Sequence, residues 1–404
     1  MMMHRKSIIG TKSNKLIGKK IVLGITGSIA AVESVKLSRE LMRHGAEVYT
    51  VMTESAKKII HPYALEFATG NPVVDEITGK IEHVSYAGDH DKKCDLILIA
   101  PSTANTISKI AYGIDDTPVT TVVSTGFSKL PIIIVPAMHS SMYKNPIIIE
   151  NIEKLKKHGV QFLTPKFEEN KAKLPEIDEI VSVVIKTLQP KDFEGKKVLI
   201  TAGPTIEKID DVRFITNSSS GLMGIKLAEE FDMRGAEVTL ILGHTHLKSH
   251  VKINTAESFE EMYATVMSNK DVDIAVFAAA TSDFHVDKSQ TGKVSSDKSF
   301  TLNLVPNKKI IEEFSKCSKA FIVGFKAEYS LSENELINRA YDRLQTSNMD
   351  LVIANDVGKE MRGFSSETNE VFVIDKKKNI NHLPLEEKDK LSEKIVDIIK
   401  KYIN

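Results

Sequence analysis

The sequence predicts an α/β chain built as two doubly wound domains, on three observations. The 404 residues exceed the ~250–300 at which single cores stop growing. Short β-branched apolar runs alternate with segments of helical period, the signature of parallel sheets covered by helices. A lysine pair, an apolar strand and a glycine turn occur twice, in GKKIVLGITGSIAA from Gly18 and in GKKVLITAGPTIEKIDDVRFITNSSSGLMG from Gly195.

Taken in order, residues 1–17 are basic and hold no apolar run of the ~7–15 residues a secretory signal needs, so a flexible N-terminal arm is expected. Lys20 to Ile25 reads as a strand buried on both faces. Thr26, Gly27 and Ser28 form its exit turn, and Ile29 to His44 reads as a helix with Val32, Val35, Leu37 and Leu41 inward and Gly45 as its stop. The pattern repeats through strand Glu47 to Met52, helix Glu54 to Thr69, strand Leu96 to Ala100, helix Asn105 to Tyr112, strand Pro131 to Pro136, helix Pro146 to His158 and strand Val160 to Leu163. Polar, lysine-rich Thr164 to Glu179 reads as a flap or surface loop. Helix Ile177 to Leu188 closes a domain spanning 18–188, and QPKDFEGKK marks the boundary with a second, 189–404.

In that second domain the unit from Gly195 carries an enlarged turn, Thr205 to Ser220, compared with the first. Duplication and convergence are equally compatible with the likeness, because βαβ units recur widely. Helix Phe259 to Ser268, strand Ile274 to Ala279, helix Asn307 to Phe314, strand Phe321 to Phe325, helix Glu333 to Thr346, strand Leu351 to Ala354, a hairpin-like Glu370 to Asp375 and a last helix, Leu385 to Tyr402, follow.

Charge and cysteine content narrow the function classes. Lys+Arg and Asp+Glu number 54 each, which argues against bulk attraction to nucleic acid or a membrane. Cys94 and Cys317, with no CxxC partner, exclude a disulfide framework and a cysteine-rich zinc site and suit a reducing cytoplasm. No run reaches the ~18 apolar residues of a membrane span. A soluble cytoplasmic protein acting on small molecules is expected.

The chemistry should sit at strand ends. Gly27 and Ser28 end the first strand, Thr53 the second, and Ser102 and Thr103 the third, so small hydroxyl residues converge on one crevice suited to a phosphate. A dinucleotide-binding dehydrogenase is disfavoured, because GITGSIAA lacks GxGxxG spacing and the second strand ends at Met52-Thr53 without an acidic residue. His83, in IEHVSYA, precedes a loop returning toward that crevice and is the side chain suited to proton exchange near neutrality. Asn105 could orient a carboxylate or cap the helix that begins there. Met138 and Met142 lie in PAMHSSMYKNP, where a methionine pair also serves to fill a core.

GITGSIAA, HVSYA, APSTANTISKIAYGIDD and PAMHSSMYKNP together resemble the flavin-containing cysteine decarboxylases, specifically the decarboxylase half of the bifunctional coenzyme A biosynthesis flavoproteins. The resemblance implies a flavodoxin-like, Rossmann-like domain that binds FMN and oxidises the substrate's cysteine thiol so that its carboxylate can leave. It implies that His83 is catalytic, that Asn105 holds the substrate carboxylate and that Met138 belongs to the substrate-recognition motif, with Gly27, Ser28, Thr53, Ser102 and Thr103 at the cofactor. Two departures stand out: His139 replaces the asparagine of PAMN, and Thr164 to Pro175 lacks the flap cysteine of bacterial members. The resemblance therefore implies that the final protonation uses another acid or a water. A flavin-binding regulatory protein with a degenerate decarboxylase site is the rival reading.

In the second domain the stretch from Gly195, with AAATSDFHVDK, TGKVSS, LVPNKKII, VGFKAE and VIANDVGKEMRGFSSETNEV, resembles the phosphopantothenate–cysteine ligase half of the same family. This implies a Rossmann-like ligase that activates a carboxylate with CTP or ATP through an acyl-nucleotide, CTP being favoured. Such a step needs fixed donors and cations aimed at developing negative charge. Asn217 and Lys293 are the catalytic candidates; Arg213, Ser219, Gly221, Asp283, Lys298 and Phe325 are substrate contacts, and Asp283 also a Mg²⁺ ligand. Asn355, Asp356 and Phe364 are weaker candidates. The resemblance also implies a homo-oligomer, trimeric through the flavin domains and dimeric through the ligase domains.

Overall fold

Lys20–Ile25 (β1) is buried over five of its six residues, as an interior strand of a parallel sheet must be. The computed structural model of the chain describes residues 8–89, 93–168, 171–297, 299–363 and 366–403. It divides into two compact units, Met1–Gln189 and Pro190–Asn404.

In the first unit, Glu47–Met52 (β2), Val73–Val74 (β3), Leu96–Ser102 (β4), Ile132–Pro136 (β5), Met138–His139 (β6) and Gln161–Phe162 (β7) follow β1. Six of these strands form a parallel sheet in the order β3-β2-β1-β4-β5-β7. The chain leaves β1 in one direction and returns on its other side at β4, so the carboxyl ends of β1 and β4 part around a crevice.

Several expectations change. The arm is packed from residue 8 onward: Leu16 is fully buried, its N–H donates to the His44 carbonyl at 2.8 Å, and Lys12 pairs with Glu40. Leu16 supplies the apolar anchor that a net basic composition hides. The helix expected from Ile29 starts as a 3₁₀ turn, Ile29–Glu33, before Ser34–Arg43. The helix expected over Glu54 to Thr69 splits into Glu54–Lys57 and Pro62–Thr69, because Pro62 has no N–H to continue the first and suits the opening turn of the second.

The flap is ordered where it is described. Lys166–Glu168 (β8) and Lys171–Lys173 (β9) pair antiparallel, and β9 pairs with β6, so the PAM segment and the flap share one small sheet. Tyr143 meets Phe167 of the flap edge-on at 5.4 Å. A helix that periodicity did not mark, Pro118–Gly126, starts on a reciprocal capping box between Thr117 and Thr120.

In the second unit, Lys197–Ala202 (β10) is followed by Ile206–Lys208 (β11) and Phe214–Thr216 (β12), which turn the enlarged loop into an antiparallel hairpin. Glu237–Leu242 (β13), Ile253–Thr255 (β14) and Ile274–Phe277 (β15) come next, then the pair Phe284–Val286 (β16) and Leu304–Pro306 (β17), then Phe321–Glu328 (β18), Leu351–Asp356 (β19), Thr368–Asp375 (β20) and Ile380–Glu387 (β21). The main sheet runs β14-β13-β10-β15-β18-β19-β20-β21, parallel up to β19 and antiparallel beyond it. Its reversal lies between β10 and β15, the counterpart of β1 and β4. One core holds Phe193, Phe231 and Ile395; another holds Phe259, Phe314 and Leu344. Leu385, expected in the last helix, lies in β21, and that helix is Lys388–Ile403.

Candidate active sites

In the first unit the strand-end residues are joined by hydrogen bonds. Thr26 Oγ1 donates to the Pro101 carbonyl at 2.9 Å and accepts from the Thr103 N–H at 3.0 Å. The Thr53 N–H donates to the Ile25 carbonyl at 3.1 Å. Thr53 and Thr103 also cap the helices that follow them, accepting from Ala56 and Thr106. Gly27 is required by crowding, since a Cβ there would lie 2.4 Å from Ser55 Cβ. Ser28 opens the 3₁₀ turn with no side-chain cap. The Ser102 hydroxyl is fully buried and has no partner among the described residues, an arrangement that costs free energy unless a ligand completes it.

His83 lies on the helix Glu82–Ala87, and its Nδ1 is buried without a partner among the described residues. No hydrogen bond among the described residues links it to the strand ends. Asn105 is exposed and is not the cap of its helix, a place taken by Thr103. Met138 is half-buried beside the flap, and exposed His139 caps the helix Ser140–Tyr143, accepting from the Ser141 N–H. Cys94 is buried in the core, and burial pushes its thiol up to about 12. It is therefore no ready substitute for a flap acid.

In the second unit a cleft of about 1120 Å³ opens at the carboxyl ends of β10, β15, β18 and β19, walled by Asn217, Ser219, Gly221, Asp283, Phe325 and Asn355 among others. Five of the residues singled out as catalytic or substrate-binding thus meet in one place. Gly221 begins the helix Leu222–Met233 with φ +81°, and a Cβ would lie 2.9 Å from the Gly203 backbone, so only glycine fits. The Asn217 side-chain amide donates to the carbonyls of Ala280 at 2.9 Å and Thr281 at 3.3 Å. It thereby fixes the loop that carries Asp283.

Arg213 and Lys293 do not line this cleft. Arg213 is held by Asp210 and by the Val294 carbonyl at 2.6 Å. Burial would raise the Asp210 carboxyl, but hydrogen bonds from the backbone of Val212, Arg213 and Val294 and from the Arg213 side chain hold it well below the usual carboxylate range. Asp210 so clips the β11–β12 hairpin to the loop bearing exposed Lys293. Asp356 caps the backbone of Ser330 and Gly358. Lys298 and Phe364 lie outside the described residues.

Four cations that sequence reasoning passed over line an adjoining cleft of about 920 Å³: Lys308, Lys309, Lys326 and Arg343, with Asp283 and Phe325 on the shared wall. Lys308 and Lys309 stand in LVPNKKII and Lys326 in VGFKAE, so motifs carried that part of the signal. Arg343 sits within a helix, where nothing in the local pattern sets it apart from a solvated residue. Asp283 pairs with Lys309, and among the described residues no group of three His, Cys, Asp or Glu could cage a metal ion.

Residues 9–189 match a family model described as flavoprotein. Residues 193–403 match one described as the DNA/pantothenate metabolism flavoprotein C-terminal domain. The chain is 54% identical over 408 residues to the coenzyme A biosynthesis bifunctional protein CoaBC of Thermococcus kodakarensis, with 100% of both chains covered. The chain belongs to the coenzyme A biosynthesis bifunctional protein family. It is 44% identical over 410 residues to the family member of Methanocaldococcus jannaschii, covering 99% of this chain and 98% of that one. Among solved structures it is similar to the C-terminal domain of a CoaBC protein, at 30% identity and a TM-score of 0.45 over 53% of this chain and 98% of that one. It is also similar to peptidyl-cysteine decarboxylase EpiD, at 31% identity and a TM-score of 0.37 over 41% and 98%.

The expected function therefore stands: the chain is a bifunctional enzyme of coenzyme A biosynthesis, a phosphopantothenate–cysteine ligase and a phosphopantothenoylcysteine decarboxylase. Its cofactor is a flavin. No helix among the described residues is long and apolar enough to cross a membrane.

Proposed function

We propose that residues 189–404 join cysteine to 4'-phosphopantothenate with CTP in preference to ATP, and that residues 18–188 decarboxylate the product with FMN. The observation that carries this reading is the meeting of Asn217, Ser219, Gly221, Asp283 and Phe325 around one cleft beside a second cleft rich in cations. Lys308, Lys309, Lys326 and Arg343 would meet the phosphates, where charge-assisted donors stabilise the pyrophosphate leaving group. Asn217 would hold the Ala280–Thr281 loop against the acyl group, and Lys293 would reach in from the clipped loop. Mg²⁺ would arrive on the nucleotide, since the donor set among the described residues offers Asp283 and no cage.

In the first unit the buried, unpartnered Ser102 hydroxyl fits a cofactor edge, and Gly27, Ser28, Thr53 and Thr103 would complete its cradle. The flavin, when bound, supplies the two-electron redox chemistry that makes the substrate carboxylate a leaving group. His83 would exchange a proton with the substrate cysteine, Asn105 would orient its carboxylate, and Met138 would present it beneath the flap. The last protonation would come from water or an acid other than Cys94. We place the enzyme in the cytoplasm as a homo-oligomer, trimeric through the flavin units and dimeric through the ligase units.

Following pyrophosphate release with CTP and ATP separately tests the ligase assignment. The expected result is release that requires 4'-phosphopantothenate and is faster with CTP. Equal rates would remove the nucleotide preference, and release without 4'-phosphopantothenate would remove the acyl-nucleotide.

A further inference from the structure

Lys388 heads the helix Lys388–Ile403 and is 3% exposed. Its Nζ donates to the Gly363 carbonyl at 3.0 Å, and an ammonium has three donors to satisfy. Burial alone pulls its ammonium down to about 8; no carboxylate among the described residues pairs with it. Arg234, 4% exposed, shows the satisfied case in the same unit, held by Asp192 and Asp397. A buried cation without an anion is costly, and this one stands in the wall of the larger cleft, which Asn355 and Asn369 also line.

We propose that Lys388, with Asn355 and Asn369, forms the subsite for the α-carboxylate of the amino-acid substrate. The inference rests on the ligase reading. Of the two cations in the wall of this cleft, Lys326 pairs with Glu328, which leaves Lys388 as the ammonium with no carboxylate partner among the described residues. One such ammonium matches a single negative charge, whereas a triphosphate calls for several cations, and those line the adjoining cleft. With the carboxylate fixed on Lys388, the α-amine of cysteine is directed toward the acyl group activated between Asn217 and Gly221. The subsite thus selects an amino acid over a simple amine.

The test compares cysteine with cysteamine, which has the same thiol and amine but no carboxylate, on the full flavin-loaded chain and its Lys388→Met and Lys388→Arg variants. Truncating one side of a buried charge pair costs roughly 30-fold or more in affinity. Lys388→Met should therefore raise KM for cysteine by about that factor and leave kcat/KM for cysteamine within about threefold, and Lys388→Arg should recover part of the loss. Equal losses for both amines, or an unchanged KM for cysteine, would overturn the subsite. Pyrophosphate release before cysteine is added reports the ligase reading separately: if wild type lacks it, that reading fails and the subsite with it. Should Lys388→Met not fold, wild type still decides, because equal use of cysteine and cysteamine contradicts the proposal.

Discussion

His83, Asn217 and Cys94 carry the residue-scale expectations. His83→Asn removes the imidazole and should abolish carbon dioxide release while leaving pyrophosphate release. Asn217→Asp takes away the donors to Ala280 and Thr281 and sets a carboxylate against two carbonyls; ligation should fall by roughly 10²-fold, with decarboxylation retained. Cys94→Ala should leave product protonation intact, read as saturated product by mass, because the thiol is buried and its pKa raised. The strand-end hydroxyls were legible because glycine turns and following helices mark where a strand must end. Arg343 was not, since an arginine within a helix reads as solvated until tertiary packing brings it to a cleft wall. Lys388 was hidden for the opposite reason: a charged residue near a chain end gives no sequence sign of burial.

At the scale of elements, the β11–β12 hairpin and the loop through Lys293 act as one piece through Asp210. Asp210→Ala should raise amide hydrogen exchange over residues 290–294 and slow ligation, with exchange in the first unit unchanged. Gly221→Ala places a Cβ on the Gly203 backbone at positive φ and should destabilise the second unit by at least about 1–2 kcal/mol, measured by denaturant unfolding. The interior strands of both main sheets could be read from short β-branched runs, whereas the edge strands Val73–Val74, Ile253–Thr255 and Ile380–Glu387 could not. The flap hairpin could not, because its strands are three residues long and carry one apolar residue each, Phe167 and Ala172, too few to show a period. The helix Pro118–Gly126 was missed because its valines and threonines favour strands by propensity; its capping box and burial against the sheet decide otherwise.

Across the whole molecule, the two main sheets reverse strand order at equivalent points, between β1 and β4 and between β10 and β15, and the second unit holds a buried ion-pair network around Arg234. Burial would raise the Asp192 carboxyl, but hydrogen bonds from Arg234 and Lys400 and their charge hold it at about 2, against an ordinary 3.8. A depressed carboxylate stabilises the fold above its unfolded value and loses that contribution as pH falls through the folded one. The second unit should thus lose this contribution between about pH 4 and pH 2, and Asp192→Asn should flatten that part of its acid unfolding curve. Arg234→Met, which leaves Asp192 without its buried partner, should cost about 3–5 kcal/mol. The division of labour itself is tested most directly by following product masses with the His83→Asn chain, given 4'-phosphopantothenate, cysteine and CTP. The account predicts that 4'-phosphopantothenoylcysteine accumulates, while wild type carries it on to 4'-phosphopantetheine. Formation of 4'-phosphopantetheine by the variant, or failure of the folded variant to make the amide, would contradict it.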